Sequence, residues 1–154
     1  MNSSKQKLII EQVDRKIAAF KPLINNTMPQ NGWINMVRMA LKMSLRQLSN
    51  RLKTSPQGLK GIEKREATGN ITINTLKEVA EALDMKLVYG FIPKQESIEK
   101  IIDDRAYEVA KEIVMRTSYN MRLEDQENTN ERLKKAIRNR AEEIKNTMPR
   151  YLWD

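Results

Sequence analysis

Two helix-start signals, at Ser44 and Ser55, leave room between them for little except a short helix and a tight turn. Ser44 is followed three residues later by Gln47. That is a capping box, in which the serine oxygen takes a first-turn N–H and the glutamine reaches back to the cap. Met43 is placed to staple onto Leu48. Ser55-Pro56 repeats the signal, with serine as cap and proline at the first helical position, where its missing N–H has no partner to lose. The helix between the two signals runs from Leu45 to about Leu52. Its Leu48 and Leu52 match Leu59 and Ile62 on the next helix, and small Ser49 falls where two steeply crossing helices press together.

The flanks also read as helices. Residues 5–20 carry Leu8, Ile9, Val13, Ile17 and Phe20 at near-helical spacing. A breaker-rich connector, Lys21 to Gly32, contains Pro22 and Pro29. From Trp33 a core-facing helix places Met36, Val37, Ala40 and Leu41 on one side, with Arg38 and Lys42 on the other. After a loop expected over Glu66 to Ile71, Thr72 caps a helix with the stripe Leu76, Val79, Ala80 and Leu83. Lys86 to Pro93, KLVYGFIP, reads as one short β-strand because β-branched and aromatic residues run together until a proline ends them. Two amphipathic helices follow: Ser97 to about Arg116 (Ile98, Ile101, Ile102, Val109, Ile113) and Glu131 to Asn146 (Leu133, Ile137, Ile144), the second ended by Pro149.

Composition removes whole classes of chemistry. The 154 residues include no cysteine and no histidine. Disulfides, thiolate nucleophiles, iron–sulfur clusters, ordinary zinc sites and imidazole bases are therefore unavailable, no metal or other cofactor is expected, and a reducing, cytoplasmic location fits. No apolar run approaches the ~18 residues of a membrane span, and the first residues lack a signal-peptide pattern, so a soluble protein without membrane contact is expected. No catalytic residues are expected either. Asp103-Asp104 and Glu142-Glu143 are neighbours on predicted helices, pointing about 100° apart, and no glycine-rich phosphate loop exists.

Charge is concentrated rather than spread. The net charge is +8, with 16 Lys/Arg against 7 Asp/Glu in residues 1–95 and 12 against 13 in residues 96–154. Residues 33–65 hold eight Lys/Arg and a single acid, Glu63. Such a stretch suits a surface that meets polyphosphate. Single-stranded RNA fits it less well than duplex DNA, because stacking aromatics are missing: between Phe20 and Tyr89 the only one is Trp33.

The stretch SLRQLSNRLKTSPQGLKGIEKREA, Ser44 to Ala67, followed by ITINTLKEVAEAL, resembles the xenobiotic-response-element type of helix-turn-helix repressor. Leu48, Ser49, Leu59, Ile62, Glu63, Leu76, Ala80 and Leu83 fall on that pattern. Over nearly the whole chain, Trp33 at the first motif helix, EKREATGNITINTL, LVYGFIP, MRLEDQ and LWD resemble the mobile mystery protein A family. The resemblance implies a small helix-turn-helix regulator encoded beside a Fic-domain protein, with an autorepressor or antitoxin-like role. The expected fold is mainly α: a helix-turn-helix repressor-like helical domain with one short β-strand and C-terminal helices. Its expected parts are an N-terminal helix and connector (1–32), the DNA-binding domain (33–84), and a strand with a C-terminal assembly or partner region (85–154).

In such repressors the helix opened by Ser55 enters the major groove. Gln57 is the candidate base reader, since its amide matches adenine N6 and N7. Lys60 could reach a guanine edge or a phosphate, while Lys64 and Arg65 suit phosphates. Leu45 stands where many such repressors have a phosphate-touching glutamine, so backbone clamping falls to Ser44, Arg46 or backbone N–H groups. Gly58 and Gly61 each cost about 1 kcal/mol relative to alanine. Close approach to the groove, close packing of helices, or a weak helix that firms up on DNA would each account for them.

A homodimer on a palindromic DNA operator is expected, because the 87–92 strand has no second strand in the chain and its edge needs cover. The alternative is a protein-interaction antitoxin that binds the Fic-type partner directly. The inhibitory helix pattern of Ser or Thr, three residues, then Glu and Gly or Asn is absent from the sequence. Direct binding would therefore use another surface, with the helices after Ser97 the place to look.

Overall fold

Each helix begins and ends where local chemistry satisfies its free backbone groups. In chain order the helices are α1 (Ser3–Ala18), α2 (Gly32–Ala40), α3 (Leu45–Arg51), α4 (Pro56–Thr68), α5 (Ile73–Ala82), α6 (Ile98–Tyr119) and α7 (Thr129–Thr147), with 3-10 turns at Lys21–Leu23 and Arg150–Trp153. The structure is a computed structural model describing residues 3–119 and 129–154. The MRLEDQ stretch at 121–126 lies outside the described residues. The chain divides into two compact units, Pro22–Gly90 and Met1–Lys21 with Phe91–Asp154.

In the first of these, caps set the starts. Ser44 Oγ accepts from the Gln47 N–H at 3.1 Å, and Gln47 Oε1 accepts from the Ser44 N–H at 2.8 Å. Ser55 and Thr72 open α4 and α5, accepting from the N–H groups of Gly58 (3.0 Å) and Thr75 (3.1 Å). The ends share one device. Lys42, Lys53 and Asp84 take left-handed φ values of 51°, 55° and 55°. The next N–H then turns back into the helix, Met43 to the Arg38 carbonyl (3.0 Å), Thr54 to Ser49 (3.0 Å) and Met85 to Ala80 (2.8 Å). Gly69 adopts the same conformation at φ 82° without a Cβ penalty, and Asn70 donates to the Arg65 carbonyl at 2.8 Å. Consequently α4 runs to Thr68, and Glu66, expected in a loop, is helical.

The core of this unit is Ile34, Leu48, Leu59, Val79 and Leu83, ringed by Val37, Leu52, Ile62 and Leu76 among others. Leu48, Leu59 and Ser49 are wholly enclosed. Each leucine contributes about 1.5–3 kcal/mol by burial. The orientation of α2 corrects the expected one. Met36 and Leu41 are each 54% exposed, whereas Ile34 and Arg38 are buried. Arginine reads as a solvent residue in a sequence, but here α4 offers it a carboxylate.

The expected strand is absent. Lys86–Pro93 is irregular, and among the described residues its backbone finds no ladder partner. A strand exists through pairing, and the residue types in KLVYGFIP supply a suitable surface without supplying a neighbour. Val88, Tyr89 and Phe91 are 71%, 61% and 85% exposed.

In the other unit α6 and α7 pack along each other. Ile102, Ala106, Val109 and Ala110 of α6 meet Ile137 and Ile144 of α7, and Leu152 fills the end of the core from the Arg150–Trp153 turn. Arg105 fastens that turn, its Nε donating to the Leu152 carbonyl at 2.6 Å and its guanidinium also to the Asp154 carbonyl. The apolar side expected for α1 differs from the observed one. Leu8, Ile9 and Val13 are exposed, and α1 joins the unit through Ile10 and Asp14. Asp14 caps α6, accepting from the N–H groups of Ile98 (2.7 Å) and Glu99 (3.3 Å). Among the described residues no helix is long and apolar enough to cross a membrane.

Candidate nucleic-acid interface

A helix turns about 100° per residue, so positions 59, 63 and 66 of α4 share one side and 57, 61 and 64 lie roughly opposite. Sequence chemistry follows that division. Leu59, Glu63 and Glu66 are buried, while Gln57, Lys60 and Lys64 are exposed.

The inward side carries acids, and each has a specific partner. Arg38 Nε donates to Glu63 Oε1 at 2.6 Å and its Nη2 to Oε2 at 3.2 Å, with both side chains about nine-tenths buried. The same guanidinium donates to the Met43 carbonyl (3.0 Å), and Asn35 Nδ2 donates to Glu63 Oε2 (3.0 Å). Such a bidentate pair, with its remaining groups satisfied, fixes the angle between α2 and α4. Glu66 does the work of a cap for α2. Asn31 makes no side-chain cap bond, and Glu66 Oε1 accepts from the Ile34 N–H at 2.8 Å. Gly32 makes that approach possible, since a Cβ there would lie 2.5 Å from the same oxygen and the backbone φ is +83°.

Because Glu63 is neutralised inside, the single acid of residues 33–65 does not offset the cations facing out. The outward side borders an open groove whose lining includes Asn31, Asn35, Gln57, Lys60, Gly61 and Lys64, with the Arg38-paired Glu63 and Ala67 at its wall. It mixes ammonium groups, which attract phosphate oxygens, with amides, which match base edges.

Of the sequence candidates, Gln57, Lys60 and Lys64 come together on this groove. Arg65 is exposed one position further round α4, near Gly61. Ser44 and Ser55 are helix caps whose oxygens accept first-turn N–H groups, which leaves each O–H to donate. Arg46 is exposed on the first turn of α3. Gly58 packs inside the turn, where a Cβ would stand 2.5 Å from Thr54 Oγ1. Sequence reasoning misses Asn31 and Asn35, which enter the groove from α2 and its leading residue, and Glu66, which joins α2 to α4. A helix-register argument carried past Arg65 finds Glu66 on the Leu59 side; nothing local signals the asparagines. Among the described residues no cluster of three or more carboxylates is placed to hold a metal ion.

Two short helices across a tight turn, braced by α2 and α5 and presenting a basic, amide-bearing face, define a helix-turn-helix domain. Residues 34–89 match the helix-turn-helix family model. The match supports a DNA-binding transcriptional regulator of the xenobiotic-response-element type. Neither the curated proteins nor the solved structures gave a significant match to the chain.

Proposed function

We propose that the protein is a sequence-specific DNA-binding transcriptional regulator without enzymatic activity, in which α4 lies in the major groove. The observation that carries this is the division of α4, with its acids turned inward and paired while Gln57, Lys60 and Lys64 line the open side. Gln57 reads a base edge. Lys60, Lys64 and Arg65 hold phosphates, together with Arg46 and the hydroxyls of Ser44 and Ser55. Residues 33–84 act as the DNA-binding domain, 1–32 as its leading helix and connector, and 85–154 as the assembly or partner region.

The acting species is a cytoplasmic homodimer on a palindromic operator. Support comes from Lys86–Pro93, whose unpaired backbone and exposed Val88, Tyr89 and Phe91 suit pairing with the same segment of a second copy. On the resemblance to mobile mystery protein A, the regulator is an autorepressor or an antitoxin-like partner of a Fic-domain protein. Footprinting on the DNA upstream of its own gene tests the regulator: a protected palindrome supports it, and binding without any sequence preference overturns it. Light scattering without DNA tests assembly, since a monomer at micromolar concentration rules out the dimer. Co-purification with the Fic-domain protein tests the partner independently.

A further inference from the structure

The two glycines inside α4 differ in what surrounds them. Glycine weakens a helix relative to alanine, so each position calls for a cause. At Gly58 the cause is internal, because a Cβ would lie 2.5 Å from Thr54 Oγ1 and 3.2 Å from Ser55 Oγ. At Gly61 a Cβ would meet only Arg65 Nη1, at 3.3 Å, the far end of a flexible side chain. Nothing in the fold requires that glycine.

Gly61 is nevertheless centrally placed. It lies on the open groove between Gln57, Lys60, Lys64 and Asn35. Gln57 is one turn before it on the same side of the helix, and Lys60 and Lys64 flank it. Gln57, Lys60 and Lys64 carry donors suited to phosphate or to a base edge, and the one acid at the groove wall, Glu63, is paired with Arg38, while Gly61 offers bare backbone.

We propose that Gly61 is the point of closest approach between α4 and the DNA, kept free of a side chain so that the helix backbone can seat in the groove. This rests on the reading of α4 as the DNA-contacting helix. Adding a methyl group at 61 lifts the helix outward, and a hydrogen bond of about 2.9 Å from Gln57 does not survive a displacement of about 1 Å. Gly61 thus sets the depth at which Gln57 and the two lysines work.

The test uses the full chain and a duplex that the wild-type protein selects from a random-sequence pool, with Gly61→Ala beside the wild type. Melting temperature should stay level or rise in the variant, because alanine favours the helix. Affinity for the selected duplex should fall at least tenfold, and affinity for poly(dI-dC) should fall less. Binding within twofold of wild type overturns the inference and leaves the DNA-binding reading intact. A clear drop in melting temperature also overturns it, since the fold would then account for the glycine. Failure of the wild-type chain to select any sequence overturns the underlying reading, and the inference with it. Gly58→Ala is the contrast: its melting temperature should fall, because Thr54 stands in the way.

Discussion

Arg38 and Glu63 form a pair that is hard to break from one side. With both side chains about nine-tenths buried, Arg38→Met leaves the Glu63 carboxylate without its cation and with Asn35 as its remaining hydrogen-bond donor, and the domain should lose about 3–5 kcal/mol in urea unfolding followed by circular dichroism. Replacing both partners, Arg38→Met with Glu63→Leu, should recover most of that loss, because neither charge is then left alone. No recovery in the double variant would mean that the pair carries something beyond mutual neutralisation. Gln57 and Lys64 should separate by a different measurement. Gln57→Ala should weaken the selected site by about 1–3 kcal/mol and relax preference at one base pair per half-site. Lys64→Ala should weaken specific and non-specific DNA alike and lower the salt slope by about 1. If their effects are exchanged, α4 is not seated in the groove as proposed.

Helix ends in the Pro22–Gly90 unit obey one rule with unequal comfort. Lys42, Lys53 and Asp84 hold a left-handed backbone that Gly69 adopts freely. For an ordinary residue that conformation costs about 1–2 kcal/mol, while glycine's extra freedom in the unfolded chain takes back about 0.5–1. Lys53→Gly should therefore stabilise the domain by a net of roughly 0.5–1 kcal/mol, seen as a raised melting temperature in scanning calorimetry. A lower melting temperature would show that the Lys53 side chain stabilises the turn in another way. In the other unit Lys145 bridges Asp103 (2.7 Å) and Glu99 (3.3 Å), and the Asp103 hydrogen bond foremost holds its ammonium above the ordinary lysine value of 10.5. A group that binds its proton more tightly when folded stabilises fully below its unfolded pKa and ceases to do so as pH rises through the folded one. Lys145→Gln should thus lower the melting temperature slightly at pH 8 and lose that effect as the pH passes well above 10.5. The caps at Ser44, Ser55 and Thr72 are legible in sequence because a cap and its target lie three residues apart. The Arg38–Glu63 pair spans 25 residues and the Asp14 cap of α6 spans 84, so no local pattern betrays either. KLVYGFIP misleads for a related reason: its residue types describe an environment, and a strand also needs a partner.

Across the molecule the basic excess lies before residue 96, and the later helices are nearly balanced in charge. Exposed Lys134 and Lys135 of α7 should therefore be replaceable by glutamine with less than a twofold change in affinity for the selected duplex. A tenfold loss with the fold intact would bring α7 to the DNA. The two units can also be watched separately. The chain has two tryptophans, and they fall one to each unit, Trp33 and Trp153. Trp33 sits between Gly32 and Ile34, at the helix end that Glu66 holds. With Trp153 changed to phenylalanine, the emission spectrum of the whole protein becomes an optical gauge of the joint between α2 and α4, legible without a label as the helix meets its ligand.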